Sequence, residues 1–288
     1  MHTFIRVLAL SAAALATPAL ADVPKVQTDI PPVAALVMQV MGDLGTPGVL
    51  LDKGADEHDL QLRPSQMRAL NDAQLLIWVG PALTPGLETA RQSSPKLQSL
   101  ALLDDPATLR LAYLDGGTNP HAWLDPTNAS LWLNLIAQRL SALDPDHAAT
   151  YAANAATAQS QIAVLDADLS RQLAGLTQSF VTYHDAYGYF TTHYRLPTAG
   201  GLAAGDAAPP GAARLSTLRA QAEKGQITCA FPEAQHDPAL ITNLAEGTAV
   251  FVGPPLDPVG STLDPDRNAY DKLMTNLTQS LLTCANKP

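Results

Sequence analysis

Three histidines lie in segments where strands or helices are expected to begin or end, not on helix faces. His58 lies in the polar segment GADEHDLQL, His121 in NPHAWLDP, and His184 follows a strand-like run in VTYHDAYGYF. Neutral imidazole is the commonest nitrogen ligand of zinc, and three protein nitrogens with one oxygen donor complete a tetrahedral site. The three histidines are therefore candidate zinc ligands, although their spacing alone does not require them to meet.

The fourth donor has two carboxylate candidates, and a water molecule is the third option. Asp257, in PPLDPVG, follows the last expected strand, in the other half of the chain from His58 and His121. Glu57 is the direct neighbour of His58. We expect Asp257 to be the ligand, because two donors from each half would let the ion hold the halves together.

Other polar residues near these histidines have supporting or structural interpretations. Asp59 and Asp185 each follow a candidate ligand, so each either orients an imidazole as a hydrogen-bond acceptor or caps a loop. His236, in EAQHDP, is a weaker ligand candidate beyond a strand end. His193 is expected at the surface, because it falls nine residues after His184 on a short helix.

A catalytic role has little support in the sequence. The chain contains no His-Glu-x-x-His helix, no Gly-x-Ser-x-Gly nucleophile motif and no glycine-rich phosphate loop. Glu57-His58-Asp59 could act as acid and base beside a metal with an open position, but no general base on a helix accompanies it. We predict a binding protein that catalyses no reaction, with an exported metallohydrolase as the alternative from another class.

The composition is that of a large acidic globular protein with an export signal. Its 288 residues are 47% hydrophobic and carry a formal net charge of −10, so a nucleic-acid partner is not expected. Residues 1–21 combine a weakly basic start, an apolar run and the cleavage pattern Ala19-Leu20-Ala21. They are predicted to be a signal peptide cleaved before Asp22. No later apolar run is long enough to span a membrane, so a soluble, exported protein is expected.

Strand-like and helix-like segments alternate along both halves of the chain. Short apolar runs such as Leu75–Val79 and Phe180–Tyr183 have the composition of buried strands, and helix-like segments separate them. This alternation predicts an α/β fold with mainly parallel sheets. The segments 104–120 and 200–213 are expected to be loops.

One long helix is expected between the halves. The segment that begins at Asp144-Pro145 is rich in alanine and contains no further glycine or proline before Gly175. The predicted organisation is an N-terminal β/α lobe over 22–143, a rigid connecting helix over 144–176 and a C-terminal β/α lobe over 177–288.

Cys229 and Cys284 are the only cysteines of the chain. In an oxidising compartment, such a pair favours a disulfide over two buried thiols. On the chain-entropy estimate, the bond would stabilise the fold by up to about 4 kcal/mol.

Four segments of the chain resemble a known family. They are GADEHDLQLRPSQMRALNDAQLLIWVGP (54–81), NPHAWLDP (119–126), YHDAYGYFTTHYRL (183–196) and PLDPVG (255–260). In this order they resemble the periplasmic zinc-binding proteins of bacterial zinc ABC importers, which belong to the metal-binding class of solute-binding proteins. The resemblance covers most of the chain after residue 21.

The resemblance implies a fold and a site. It implies two β/α lobes joined by a single long helix, with the metal in the cleft between them. His58, His121 and His184 match the family's ligands, and the fourth donor is an aspartate matching Asp257, a glutamate matching Glu57, or water. Zinc-specific members have a histidine at the third position, whereas manganese- and iron-type relatives usually have a carboxylate there. This difference agrees with the preference of imidazole for zinc.

The resemblance also implies a function, which is capture of Zn²⁺ by a periplasmic protein, expected to be a monomer, that passes the ion to a membrane ABC permease. The alternatives are a manganese- or iron-binding homologue, a metal-dependent adhesin and a zinc chaperone.

Two features depart from the family pattern. The segment 115–119 is short and lacks the histidines of a long loop in many zinc members. Where relatives often read Glu-Pro-Gln-Phe, this chain reads Glu233-Ala234-Gln235-His236.

Overall fold

The framework of the structure is a pair of four-stranded parallel sheets, one in each half of the chain. The structure is a computed structural model that describes residues 23–113, 116–203 and 211–286, except the side chain of Asp59. The predicted signal peptide, its cleavage site and part of the loop expected at 200–213 lie outside the described residues. Within those residues, none of the helices is long and apolar enough to cross a membrane.

The first sheet lies in the N-terminal half and has the strand order β2-β1-β3-β4. Its strands are β1 (Val26–Thr28), β2 (Gly48–Val49), β3 (Leu75–Trp78) and β4 (Gln98–Ala101). The helices between them are α1 (Pro31–Met41), α2 (Pro64–Asp72) and α3 (Pro85–Gln92). Each of these helices has a proline in its first turn, where the missing N–H leaves no helical hydrogen bond unmade. β3 is buried along its whole length, as its continuous apolar sequence indicates.

A hairpin and two long helices follow the first sheet. The antiparallel strands β5 (Leu111–Ala112) and β6 (Thr118–Asn119) lie inside the segment that was expected to be a loop. Helix α4 (Pro126–Leu143) begins after Asp125, whose side chain accepts a hydrogen bond from the Thr127 N–H. A 3-10 turn at Pro145–His147 then leads directly into α5 (Ala148–Leu173), which confirms the long helix.

The second sheet lies in the C-terminal half and has the strand order β10-β9-β7-β8, again parallel throughout. Its strands are β7 (Phe180–His184), β8 (Thr198–Ala203), β9 (Cys229–Phe231) and β10 (Phe251–Val252). The helices of this half are α6 (Gly188–His193), α7 (Ala212–Glu223), α8 (Ala239–Ala245) and α9 (Ala269–Ala285). The predicted α/β class is therefore confirmed, while the lobe boundaries at 143/144 and 176/177 stay a prediction.

One hydrophobic core runs through both halves. It includes Val26 and Leu75 from the first sheet, Ile162 from α5, and Phe180 and Phe231 from the second sheet. The opposite face of each sheet is covered by a smaller apolar cluster of its own. Helices α5 and α9 pack against α1, so the end of the chain returns to the first half. Because packed interiors resist displacement, the shared core makes the two halves one unit.

A disulfide joins Cys229 of β9 to Cys284 of α9 and confirms the pairing predicted from the sequence. Both cysteines are fully buried. The bond closes a sequence separation of 55 residues, for which the chain-entropy estimate is about 4 kcal/mol of stabilisation. It therefore ties α9, which packs on the first half, to the sheet of the second half.

His193, which was expected at the surface, is half-buried and joins three helices. Its side chain is 21% exposed, with Nδ1 3.1 Å from Asp125 Oδ1 and Nε2 2.8 Å from Asp166 Oδ1. The hydrogen bond to Asp125, with support from Asp166, raises the pKa of His193 to about 9 against the opposing effect of burial. A protonated His193 on α6 therefore holds the start of α4 and the middle of α5 together.

We expect this histidine to make the stability depend on pH. Because its pKa is higher in the folded chain, its contribution is complete below pH 6.5 and is lost as the pH rises through about 9. The free energy of unfolding of the metal-free protein should fall across this window, by up to about 3 kcal/mol. Urea denaturation of the wild type and of His193→Gln measures the effect. Equal pH slopes for the two proteins would show that His193 does not contribute in this way.

Candidate metal centre

Glu57, His58, His121 and His184 bring one potential ligand atom each to a single point, with all four atoms within 4.8 Å of one another. Glu57 and His58 lie in the 3-10 turn Glu57–Asp59, which follows β2. His121 follows β6, and His184 is the last residue of β7. All four side chains are at most 7% exposed. The three histidines predicted from the sequence thus meet between the two halves, although they are far apart in the chain.

The distances between these atoms fit a tetrahedral zinc site. Nε2 of His121 and Nε2 of His184 are 3.2 Å apart. Glu57 Oε1 lies 3.6 Å from His121 Nε2 and 3.7 Å from His58 Nε2. Ligands bound about 2.0–2.1 Å from a tetrahedral zinc ion are roughly 3.3 Å apart. The donor set therefore has both the chemistry and the spacing that zinc requires.

Asn119 determines which nitrogen of His121 carries the proton. Asn119 Oδ1 is 2.9 Å from His121 Nδ1 and also accepts the backbone N–H of His121, while Asn119 Nδ2 donates to the Asp185 carbonyl. These contacts fix the orientation of the amide, so its oxygen faces the ring. His121 Nδ1 must then be the donor, and the lone pair of the neutral ring lies on Nε2.

Glu233 has the same role for His184. Glu233 Oε2 is 2.6 Å from His184 Nδ1, and Oε1 accepts the backbone N–H of His184 at 3.4 Å. A carboxylate at this distance requires a proton on Nδ1, so in the neutral ring the lone pair lies on Nε2. The neighbouring strand comes close because residue 201 is glycine, where a Cβ would lie 2.5 Å from the backbone joining His184 to Asp185.

Burial shifts the pKa values of two groups in this centre, Glu57 and His121. It raises the pKa of Glu57 to about 8, against the opposing effect of His184. Burial also holds the pKa of His121 well below its usual range, with further lowering by His184 and His58. Glu57 Oε1 accepts no hydrogen bond within the described residues. Neutral imidazoles and a buried carboxylate oxygen of this kind are suited to a cation, which favours the ionised carboxylate.

Asp257 lies outside this group of four. Its carboxylate accepts hydrogen bonds from the side chain of Gln235, from the backbone of Ser261, and from the backbone and hydroxyl of Thr262. Through these hydrogen bonds, the Asp257 carboxylate stabilises the loop that contains Ser261 and Thr262. The geometry therefore favours Glu57, the alternative fourth donor, over Asp257.

Two residues that sequence reasoning missed hold the imidazoles in place. They are Asn119 and Glu233, whereas the expected supporting residues were Asp59 and Asp185. Asp185 contributes its backbone carbonyl, which accepts from Asn119. The side chain of Asp59 lies outside the described part of the chain, so its role stays a prediction. The position of Asn119 two residues before a candidate ligand was a usable signal, and Glu233 follows a predicted strand.

Two parallel-sheet lobes joined by a long helix, with imidazoles from both lobes at one point, define a two-lobed metal-binding protein. Comparison with known families agrees with this class. The profile of the ZnuA family, described as "Zinc-uptake complex component A periplasmic", matches residues 26–284. The chain therefore belongs to this family.

Individual relatives extend over almost the whole chain. The high-affinity zinc uptake system protein ZnuA of Paracoccus denitrificans is 47% identical over 316 aligned positions, which cover 96% of this chain and 97% of the relative. A crystal structure of ZnuA has a TM-score of 0.78 at 24% identity, covering 90% of this chain and 100% of that one. The periplasmic zinc-binding protein TroA from Treponema pallidum has a TM-score of 0.81 at 21% identity, covering 91% and 98%. These two structures show the same fold.

Isosteric substitutions can distinguish which of the two carboxylates, Glu57 or Asp257, is the fourth zinc ligand. We expect Glu57→Gln to weaken zinc binding by at least about tenfold, because it removes an anion from among the imidazoles. Asp257→Asn should change the affinity by less than about threefold, because its carboxylate bonds within its own loop. Competition between each variant and a zinc chelator measures both values. The reverse ranking would make Asp257 the fourth donor.

Proposed function

We propose that this protein captures Zn²⁺ in the periplasm and delivers it to a membrane ABC permease for uptake. The observation that carries the proposal is the convergence of three imidazole nitrogens and the Glu57 carboxylate at tetrahedral spacing. Membership of the zinc-uptake family supports transport as the purpose of binding. In this proposal the bound ion is cargo, and the protein catalyses no reaction.

The proposed ligands are His58, His121, His184 and Glu57. Three neutral nitrogens and one carboxylate leave a bound Zn²⁺ with a net charge of +1. Glu233 supplies a further negative charge through its hydrogen bond to His184, which makes that imidazole a stronger donor. This nitrogen-rich set favours zinc over manganese, which prefers oxygen ligands.

Asn119 and Glu233 are proposed as the residues that prepare the centre. Asn119 keeps a proton on Nδ1 of His121, and Glu233 does the same for His184. The Nε2 atom of each ring can then bind the ion without a change of tautomer. The core shared by both halves supports this preparation, because it keeps His121 and His184 at a fixed separation. Binding should therefore need little rearrangement of the sheets.

The cellular setting is also part of the proposal. The family description is periplasmic, and the pattern at residues 1–21 supports export followed by cleavage before Asp22. We propose that the protein acts as a monomer, because a single chain supplies all four donor atoms.

Zinc titration of the metal-free protein tests this function. The wild type should bind one ion tightly in competition with a chelator, and His184→Ala should weaken that binding by at least about 100-fold, because it removes a ligand and leaves a buried cavity. Glu233→Gln should weaken it by about 10–100-fold, through loss of the charge behind His184. His147→Ala serves as the control, since His147 bonds to Asp144 instead. Equal affinities for the wild type and His184→Ala would contradict the proposed site.

A further inference from the structure

The hairpin of β5 and β6 carries Asn119, although it is very short. Each strand has two residues, with Leu111 opposite Asn119 and Ala112 opposite Thr118. An isolated two-stranded hairpin is marginally stable at best in water. Asn119 is nevertheless buried, and its Oδ1 atom is 2.9 Å from Nδ1 of His121. Contacts from outside the hairpin must therefore hold its backbone in place.

Tyr189 of α6 supplies two such contacts through a single hydroxyl group. The hydroxyl accepts the backbone N–H of Leu111 at 2.8 Å and donates to the backbone carbonyl of Asn119 at 2.9 Å. The side chain of Tyr189 is fully buried in the core shared by the two halves. A hydroxyl can donate and accept at once, so this one links both strands of the hairpin to the second half of the chain.

The turn that precedes Tyr189 holds the side chain of Asn119 as well. Asn119 Nδ2 donates to the Asp185 carbonyl at 3.0 Å. Gly188 permits this approach, because a Cβ at that position would lie 3.2 Å from Asn119 Nδ2. The segment from Asp185 to Tyr189 therefore fixes both the backbone and the amide of Asn119. This segment begins directly after the proposed ligand His184, so it connects one ligand to the support of another.

The hairpin also brings a second polar group to the same nitrogen of His121. The hydroxyl of Tyr113, which follows β5, lies 3.4 Å from His121 Nδ1. The backbone N–H of Tyr113 donates to the Gly117 carbonyl, so Tyr113 is itself part of the hairpin. A shift of the hairpin would therefore move both Asn119 and Tyr113 relative to this nitrogen.

We propose that Tyr189 is a positioning residue for the metal centre: its hydroxyl holds the hairpin at Asn119 and thereby keeps the Nε2 lone pair of His121 directed at the ion. The proposal deepens the proposed function and rests on it. Tyr189 acts through Asn119 and is not itself a ligand. When the hairpin is free to shift, neutral His121 can also place its proton on Nε2, and that tautomer cannot bind the ion through Nε2.

Tyr189→Phe tests the proposal, because it keeps the buried ring and removes only the hydroxyl. Competition with a chelator should show zinc binding weakened by about tenfold, the low end of the effect of residues that orient a ligand imidazole. Imidazole ¹⁵N NMR spectra of the metal-free protein report the tautomer of His121 directly. The wild type should show the Nδ1–H tautomer alone, and Tyr189→Phe should show a mixture of the two tautomers.

Tyr151→Phe is the matched control. Tyr151 is also fully buried, and its hydroxyl donates to Asp144 at 2.7 Å, at the junction of α4 and α5. The control should keep the zinc affinity within about threefold of the wild type, and His121 should keep its single tautomer. Urea denaturation of both variants confirms that each is folded under the conditions of the titration. Equal weakening of zinc binding in the two variants would overturn the proposal.

A double variant distinguishes positioning through Asn119 from a general structural effect. Adding Tyr189→Phe to Asn119→Ala should weaken binding by less than about threefold further, because both residues act on the same imidazole. Full additivity would overturn the role of Tyr189 and leave the proposed function intact. A single His121 tautomer in Tyr189→Phe, or zinc affinity within about threefold of the wild type, would do the same. Absence of tight zinc binding in the wild type would instead contradict the proposed function, and the role of Tyr189 with it.

Discussion

The centre depends on two imidazole nitrogens that face each other at 3.2 Å, on His121 and His184. Asn119 and Glu233 accept hydrogen bonds from the opposite sides of these rings, so in the neutral rings both facing nitrogens carry lone pairs. A cation that binds both lone pairs replaces their mutual repulsion in the neutral rings by coordination. Glu57 adds the negative charge that lowers the cost of placing a divalent ion in a buried position.

The rest of the fold keeps these groups in place. His121 follows a short hairpin of the first half, and His184 ends a buried strand of the second half. A continuous core, the long helix α5 and the disulfide between β9 and α9 connect the two sides. His193 adds a charged contact between α6, α4 and α5. A donor set drawn from both halves requires this stiffness, because a shift of either half changes the donor spacing.

The sequence predicted the strands, the long helix, the disulfide and the three histidines that converge. It could do so because buried strands are continuous apolar runs, and histidines at strand ends are exposed to a cleft. It did not predict the hairpin that positions Asn119, because both of its strands are only two residues long. The preference for Asp257 over Glu57 as the fourth ligand came from the expectation that each half of the chain supplies two donors. The hydrogen bonds that hold Asp257 in its own loop depend on three-dimensional contacts with Gln235 and Thr262.

X-ray absorption spectroscopy at the zinc edge, on the chain loaded with one equivalent of Zn²⁺, measures the central feature directly. The donor geometry predicts four ligands at about 2.0–2.1 Å, with the scattering pattern of three imidazoles and one carboxylate oxygen. A first shell of oxygen atoms with one imidazole or none would contradict the account, because the facing nitrogens of His121 and His184 would then not hold the ion.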